Sequence, residues 1–259
     1  MRCLVLSAVL ILLLGSSYSL QAQSEITVLA PAPIRGPLDK VIQGFESKTG
    51  NKVKVTYGAG SRDTPPYGTR QLVARGQGLD VSIMFAPFPE ALASGNIDPK
   101  SATILARILL GVTVQRGAPK PDISSSNAVK RMLLAAKSIA IVDPSQGTLG
   151  GEANEVLKKV GNTQQIQPKI RTVESSPVAE QMVAKGEIEL FLGPQVSDTL
   201  REGVELIGAL PRAVSTPTDV VGYVSTKTKD PKAAKALLQY LKSPQAEAAY
   251  KAARLEAVH

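Results

Sequence analysis

Small, hydroxylic and cationic side chains gather in short runs that each follow an apolar, β-branched segment of this 259-residue chain. One run is Pro31-Ala32-Pro33-Ile34-Arg35-Gly36, a second is Gly58-Ala59-Gly60-Ser61-Arg62-Asp63-Thr64, and a third is Asp143-Pro144-Ser145-Gln146-Gly147-Thr148. Glu174-Ser175-Ser176-Pro177 and Gly193-Pro194-Gln195 have the same setting. Glycine lets backbone N–H groups approach a ligand closely, and serine or threonine adds hydroxyl donors. The unpaired N–H groups of a helix that starts there attract anions. Arg35 and Arg62 offer planar forks that match carboxylate or oxyanion oxygens. The candidate ligand-binding residues are therefore Ala32, Arg35, Ser61, Arg62, Thr64, Ser145, Gln146, Gly147, Thr148 and Gln195. Each has a plainer role beside this one. Thr64 before Pro65 reads as a helix N-cap, and Asp63 as a second cap or a partner for Arg62. Arg35 and Arg62 read singly as solvated cations, and Ser61 as a turn residue. None of the runs fits a Walker loop or a dinucleotide fingerprint.

Scarcity narrows the chemistry further. Cys3 is the sole cysteine and His259 the sole histidine. Thiol nucleophiles, cysteine-bound zinc and Ser-His-Asp catalysis are thereby excluded from the mature chain, and no cofactor is expected. The formal net charge of +8 is scattered among both signs, tryptophan is absent and aromatics make up 4 %. A single-strand nucleic-acid groove needs stacking faces beside its cations, so nucleic acid is not an expected partner. Arg2 followed by the apolar run Leu4 to Leu14 reads as an export leader, too short to span a bilayer. Residues 1–22 form that leader, cleaved after Ala22, with Ser19 as the rival site. The expected product is an exported protein without disulfides.

The elements that must position these runs alternate between strand and helix. Ile26 to Ala30, Val53 to Tyr57 and Val81 to Phe85 read as strands, with helices around Leu38–Phe45, Arg70–Arg75 and Pro89–Ala93. Ile104 to Gln115 is one long extended stretch. A second series follows, with strands at Ile139–Val142, Lys169–Val173, Ile188–Leu192, Val204–Ile207 and Val220–Ser225. Its helices are predicted from Ser126 as cap through Ala136, over Glu152–Val160 and over Val178–Lys185. Asp230 and Ser243 read as N-caps with Pro231 and Pro244 at the first helical positions. Ala236, Leu237, Tyr240 and Leu241 are the predicted buried stripe of the first of these helices. The rhythm predicts α/β architecture, with ligands gathering outside the carboxyl ends of the strands.

The run ITVLAPAPIRGPLDKVIQGFESKTGNKVKVTYGAGS resembles the opening of periplasmic molybdate-binding proteins and their solute-binding relatives. GLDVSIMFAPFPEALASGNI, IAIVDPSQGTLGGEANEVLKKVG, VAEQMVAKGEIELFLG and DPKAAKALLQYLKSPQAEAAY continue the resemblance in order along nearly the whole mature chain. It implies a type II periplasmic-binding fold of two lobes. Each lobe would be a mixed, mostly parallel sheet flanked by helices, with two crossover strands between them. Residues 23–108 plus 220–259 would form lobe 1, and residues 109–219 lobe 2. The implied function is capture of a small anion, a molybdate-like oxyanion or a small carboxylate, by hinge closure. The implied partner is the membrane permease of an ABC transporter, with the binding protein acting as a monomer. Pro33 stands where molybdate binders usually carry a serine, and Leu192-Gly193-Pro194 where they carry a tyrosine. The Arg62-Asp63-Thr64-Pro65 run is closer to a divergent branch that includes aconitate isomerase. That branch implies an alternative, an exported isomerase of an unsaturated tricarboxylate, with Asp63, Asp143 or Tyr67 as the base.

Overall fold

The computed structural model describes residues 24–58, 65–77, 79–161, 163–196 and 200–258, with the side chains of Gln146 and Thr163 outside that description. In chain order the first elements are β1 (Glu25–Pro31), α1 (Arg35–Thr49), β2 (Lys52–Gly58), α2 (Thr69–Ala74), β3 (Val81–Phe85), α3 (Pro89–Ala93) and β4 (Thr103–Ile108). The second series is β5 (Leu110–Gln115), α4 (Ser126–Ala135), β6 (Ile139–Val142), α5 (Thr148–Val160), α6 (Thr163–Ile166), β7 (Ile170–Val173), α7 (Ser176–Ala184), β8 (Leu190–Pro194) and β9 (Val204–Ala209). The chain then returns through β10 (Thr218–Val224) to α8 (Pro231–Tyr240) and α9 (Pro244–Ala252).

Among the described residues these strands form two five-stranded sheets of matching design, ordered β2-β1-β3-β10-β4 and β7-β6-β8-β5-β9. In the first, β10 alone runs against the others; in the second, β5 does. Each reversed strand is fed from the other lobe, so the two crossovers and the two reversed strands are one feature. The extended stretch Ile104–Gln115 is accordingly two strands in two sheets, parted at Leu109. Apolar runs report burial but not which sheet does the burying.

Helix faces explain the packing on each sheet. Leu38, Val41, Ile42 and Phe45 of α1 are buried at helical spacing, and Gly50 closes the helix at φ 76°. Phe45 meets the Tyr240 ring edge-on at 5.5 Å, an aromatic contact of about 0.5–1.5 kcal/mol beyond its burial. Asp80 ties lobe 1 together. Its carboxylate accepts from Thr27 N at 2.9 Å, Thr27 Oγ1 at 2.7 Å and Thr228 Oγ1 at 2.6 Å. Burial alone would push this carboxyl up, but the hydrogen bonds outweigh it and hold the group below the usual aspartate range.

Cap predictions at Asp230 and Ser243 agree with the structure: their side chains accept from Ala233 N and Ala246 N, with proline at the first helical position of each. Four local expectations differ. Ser125, not Ser126, caps α4, its Oγ accepting from Ala128 N at 3.2 Å. Helix α2 starts at Thr69 behind Gly68, not at Thr64–Pro65. Pro66 disfavours helical geometry at Pro65, so a Pro-Pro pair delays the helix. Helix α5 starts at Thr148, ahead of Glu152, because Gly150 and Gly151 hide the signal. Of the stripe expected for α8, Leu237 and Leu241 are buried, but Ala236 is exposed and Tyr240 half-buried, and Ala233, Ala234 and Leu238 complete the buried face. Gly222 of β10 makes room for Leu238, since a Cβ there would sit 2.6 Å from Leu238 Cδ2.

Candidate functional site

Strand order turns at β1 in one sheet and at β6 in the other, where successive connections diverge and leave a crevice at the carboxyl ends. The two crevices face one another across a cavity of ≈ 280 Å³. Lobe 1 contributes Ala32 and Pro33 after β1 and Phe85 at the end of β3. The other wall is the start of α5 (Gly147 to Gly150), the start of α7 (Ser175 to Pro177), and Pro194 with Val196 at the end of β8. Phe85 on the lobe 1 side and Val142, Leu149, Pro177, Pro194 and Val196 opposite it make the cavity largely apolar. Two helix N-termini therefore border a mostly apolar space.

Local chemistry sets these helix starts. Asp143 caps the 3-10 turn Pro144–Gln146: its Oδ1 accepts from Ser145 N at 2.9 Å and Ser145 Oγ at 2.8 Å. Gly147 then caps α5 without a side chain. Gly150 is obligatory in the next turn. A Cβ there would lie 2.5 Å from Val142 O and 2.8 Å from Asp143 O, so only glycine lets the start of α5 press onto the end of β6. Ser175 caps α7 through its backbone alone, its hydroxyl making no capping bond. Thr148 Oγ1 is buried without a hydrogen-bond partner. Such a group is unusual in a folded protein and points to a missing acceptor or donor.

Glu180, on the cavity wall from α7, is 7 % exposed. Its Oε2 accepts from Arg201 N at 3.1 Å. Burial is the largest influence and pushes its carboxyl above the usual glutamate range, against the hydrogen bond and charge of Arg201. Among the described residues no three His, Cys, Asp or Glu side chains converge as metal ligands.

The structure brings Ala32, Gly147 and Thr148 to this cavity, and Ser145 to a second hollow beside it. Arg35 lines neither; its guanidinium lies 4.5 Å above the Tyr57 ring. Gln195 is 2 % exposed and lies between cavity-lining Pro194 and Val196, on the opposite side of the chain. Its carboxamide packs where a Cβ on Gly111 would stand, 2.3 Å from Cδ, and both its polar atoms lack partners. Ser61, Arg62, Asp63 and Thr64 lie outside the described residues, as does the Gln146 side chain. Of the other candidate bases, Asp143 is engaged in its cap and Tyr67 carries Arg75 3.9 Å above its ring. Glu180, Ser175 and Arg70 were not singled out from the sequence. Glu180 had a signal, a charged residue on the stripe Ala179-Glu180-Val183 that the helical period assigns to the interior.

Comparison with known proteins agrees with this architecture. Residues 26–253 match the family model of bacterial extracellular solute-binding proteins. An aconitate isomerase from Pseudomonas sp. is 32 % identical over 252 residues, 95 % of this chain and 94 % of the relative. The molybdate-binding protein ModA of Azotobacter vinelandii is 28 % identical over 241 residues, 88 % of each chain. A solved structure of the Azotobacter vinelandii periplasmic molybdate-binding protein superposes with a TM-score of 0.71 at 20 % identity, covering 90 % of this chain and all of that one. The chain belongs to the bacterial extracellular solute-binding protein family, in the molybdate-binding-like group that includes aconitate isomerase.

Proposed function

We propose that this protein captures a small organic carboxylate between its lobes in the periplasm and presents it, as a monomer, to the permease of an ABC transporter. In this reading residues 1–22 are the leader, residues 23–108 with 220–259 form lobe 1, and residues 109–219 form lobe 2. The observation that carries it is the apolar inter-lobe cavity entered by the N-termini of α5 and α7, with the buried, unpartnered Thr148 hydroxyl on its wall. The anion takes N–H groups at Gly147–Thr148 and at the start of α7, plus the Thr148 hydroxyl, and closure of the lobes excludes water. The cavity's size lies near the lower end of the roughly 300–1,000 Å³ range of organic-ligand pockets. Its apolar walls suit a carbon skeleton better than a bare tetrahedral oxyanion, and Pro33 has neither N–H nor hydroxyl to offer one. A thermal-shift panel of molybdate, tungstate, sulfate, phosphate, citrate and aconitate tests this. Ligand at one hundred times its dissociation constant adds about 2.7 kcal/mol. A shift with molybdate and tungstate alone sinks the carboxylate reading.

Glu180 favours one second reading, an isomerase of an unsaturated tricarboxylate. A carboxyl that burial keeps protonated to higher pH, on the wall of a carboxylate site, is equipped to move a proton between two carbons. The 32 % identity to a Pseudomonas aconitate isomerase supports it. Unchanged ultraviolet absorbance of cis- and trans-aconitate over hours with concentrated protein eliminates it.

A further inference from the structure

The inter-lobe space does not end at Thr148. A second hollow of ≈ 270 Å³ adjoins the first, and Gly147 and Thr148 are walls of both. Its lobe 1 side is Arg70 of α2 and Pro87; its lobe 2 side includes Ser145, Gly151 and Glu152. Arg70 is the positively charged side chain on these walls, and its side chain is 18 % exposed. One terminal nitrogen donates to Pro87 O at 3.1 Å. Its Nε lies 3.4 Å from Glu90 Oε2, close enough for an ion pair but without hydrogen-bond alignment, so this buried N–H has no acceptor. Glu90 is 54 % exposed, and water weakens that pairing. Arg70 lines the hollow with a guanidinium that is not fully paired, and such a planar fork matches a carboxylate.

We propose that the second hollow is the subsite for a second carboxylate, with Arg70 as the residue that selects di- and tricarboxylates over monocarboxylates. This rests on the reading of the first cavity as a carboxylate site. One carboxylate sits at the helix starts around Thr148, and the carbon skeleton passes Gly147 to place the next against Arg70. Glu152 faces the hollow from α5 and sets the side on which that carboxylate lies. Burial raises its carboxyl above the usual range, Lys159 opposes this and Glu155 adds to it. When ionised, Glu152 repels the second carboxylate toward Arg70.

Titration calorimetry of the full chain with butyrate, succinate and citrate tests the assignment. Arg70→Gln should weaken succinate and citrate by at least about tenfold, the loss of a charge-assisted pair, while butyrate stays within about twofold. Arg70→Lys keeps the charge without the fork and should recover part of the loss. Glu152→Gln should tighten citrate. Equal losses for butyrate and citrate, or none for either, overturn the subsite. If Thr148→Val weakens all three acids while Arg70→Gln weakens none, the first cavity stands and the subsite falls. A wild-type protein that binds none of these acids removes both. Urea midpoints of each variant confirm folding.

Discussion

Replacing Thr148 by valine separates two effects of one hydroxyl. Valine fills the same volume, so contacts of the first turn of α5 are kept, but the buried Oγ1 without a partner is gone. A buried hydroxyl left unpaired costs about 1–3 kcal/mol. Thr148 as a whole is half-buried, so the lower end applies, and the ligand-free variant should be more stable by about 1 kcal/mol. For a chain of this size that is a rise of about 2–4 °C in Tm. Binding should move the other way. A hydrogen bond to a charged acceptor contributes about 1.5–3 kcal/mol, which is roughly a 10- to 150-fold loss of affinity. Calorimetric unfolding of ligand-free protein gives the first quantity, and titration with citrate the second. Thr148→Ser, which keeps the hydroxyl, serves as control and should retain the affinity. A valine variant that is less stable and binds citrate as before shows that the hydroxyl has no part in the site.

Other perturbations report on the frame around it. Gly150→Ala puts a methyl 2.5 Å from Val142 O, so the start of α5 must shift. We expect about 1–3 kcal/mol of lost stability from overpacking and a larger loss of citrate binding than Gly151→Ala, where nothing lies within 4 Å; equal effects in calorimetry refute this. Asp80→Asn should cost about 1–2 kcal/mol at pH 7, reduced because Asp80 is only half-buried. Since the folded carboxyl lies below its ordinary value, that contribution is present above the unfolded pKa and disappears as pH falls through the folded one. Urea midpoints that show the same cost at low pH contradict the assignment. For Glu180 the sign is opposite. Its folded carboxyl is raised, so the wild type loses stability relative to Glu180→Gln as pH rises above the usual glutamate range, with a plateau once the folded group ionises. A difference that stays flat with pH refutes the burial argument.

What could be read from the sequence follows from the range over which each signal acts. Proline-led caps at Asp230 and Ser243 are local chemistry and were legible. The division of Ile104–Gln115 between two sheets was not legible in its apolar pattern, because burial in either sheet asks for the same residues; only the family resemblance put the crossing between lobes there. Within the site, Ala32, Gly147 and Thr148 were reachable because topology alone sends strand ends to the crevice. Direction of a side chain needs more. Arg35 follows the right strand, yet Tyr57 of the neighbouring strand lies under its guanidinium. Gln195 follows the right strand too, but Pro194 and Val196 beside it take the cavity side, a period of two visible in the sequence.

The largest gap concerns charge. The loops after the strands offer Arg35 and Arg62 as cations, whereas the charged groups on the described walls are Arg70, Glu152 and Glu180 inside helices and Glu174 in the loop before α7, and three of these four are acids. In the proposed site an anion is therefore met mainly by backbone N–H groups at the starts of α5 and α7, which no residue count records. This arrangement has a consequence for selectivity. Fixed backbone donors hold one carboxylate of any ligand equally well. In the proposed site, acidic walls would penalise every further negative charge except where Arg70 stands, so discrimination among acids would rest on the placement of that single guanidinium against Glu152, Glu174 and Glu180.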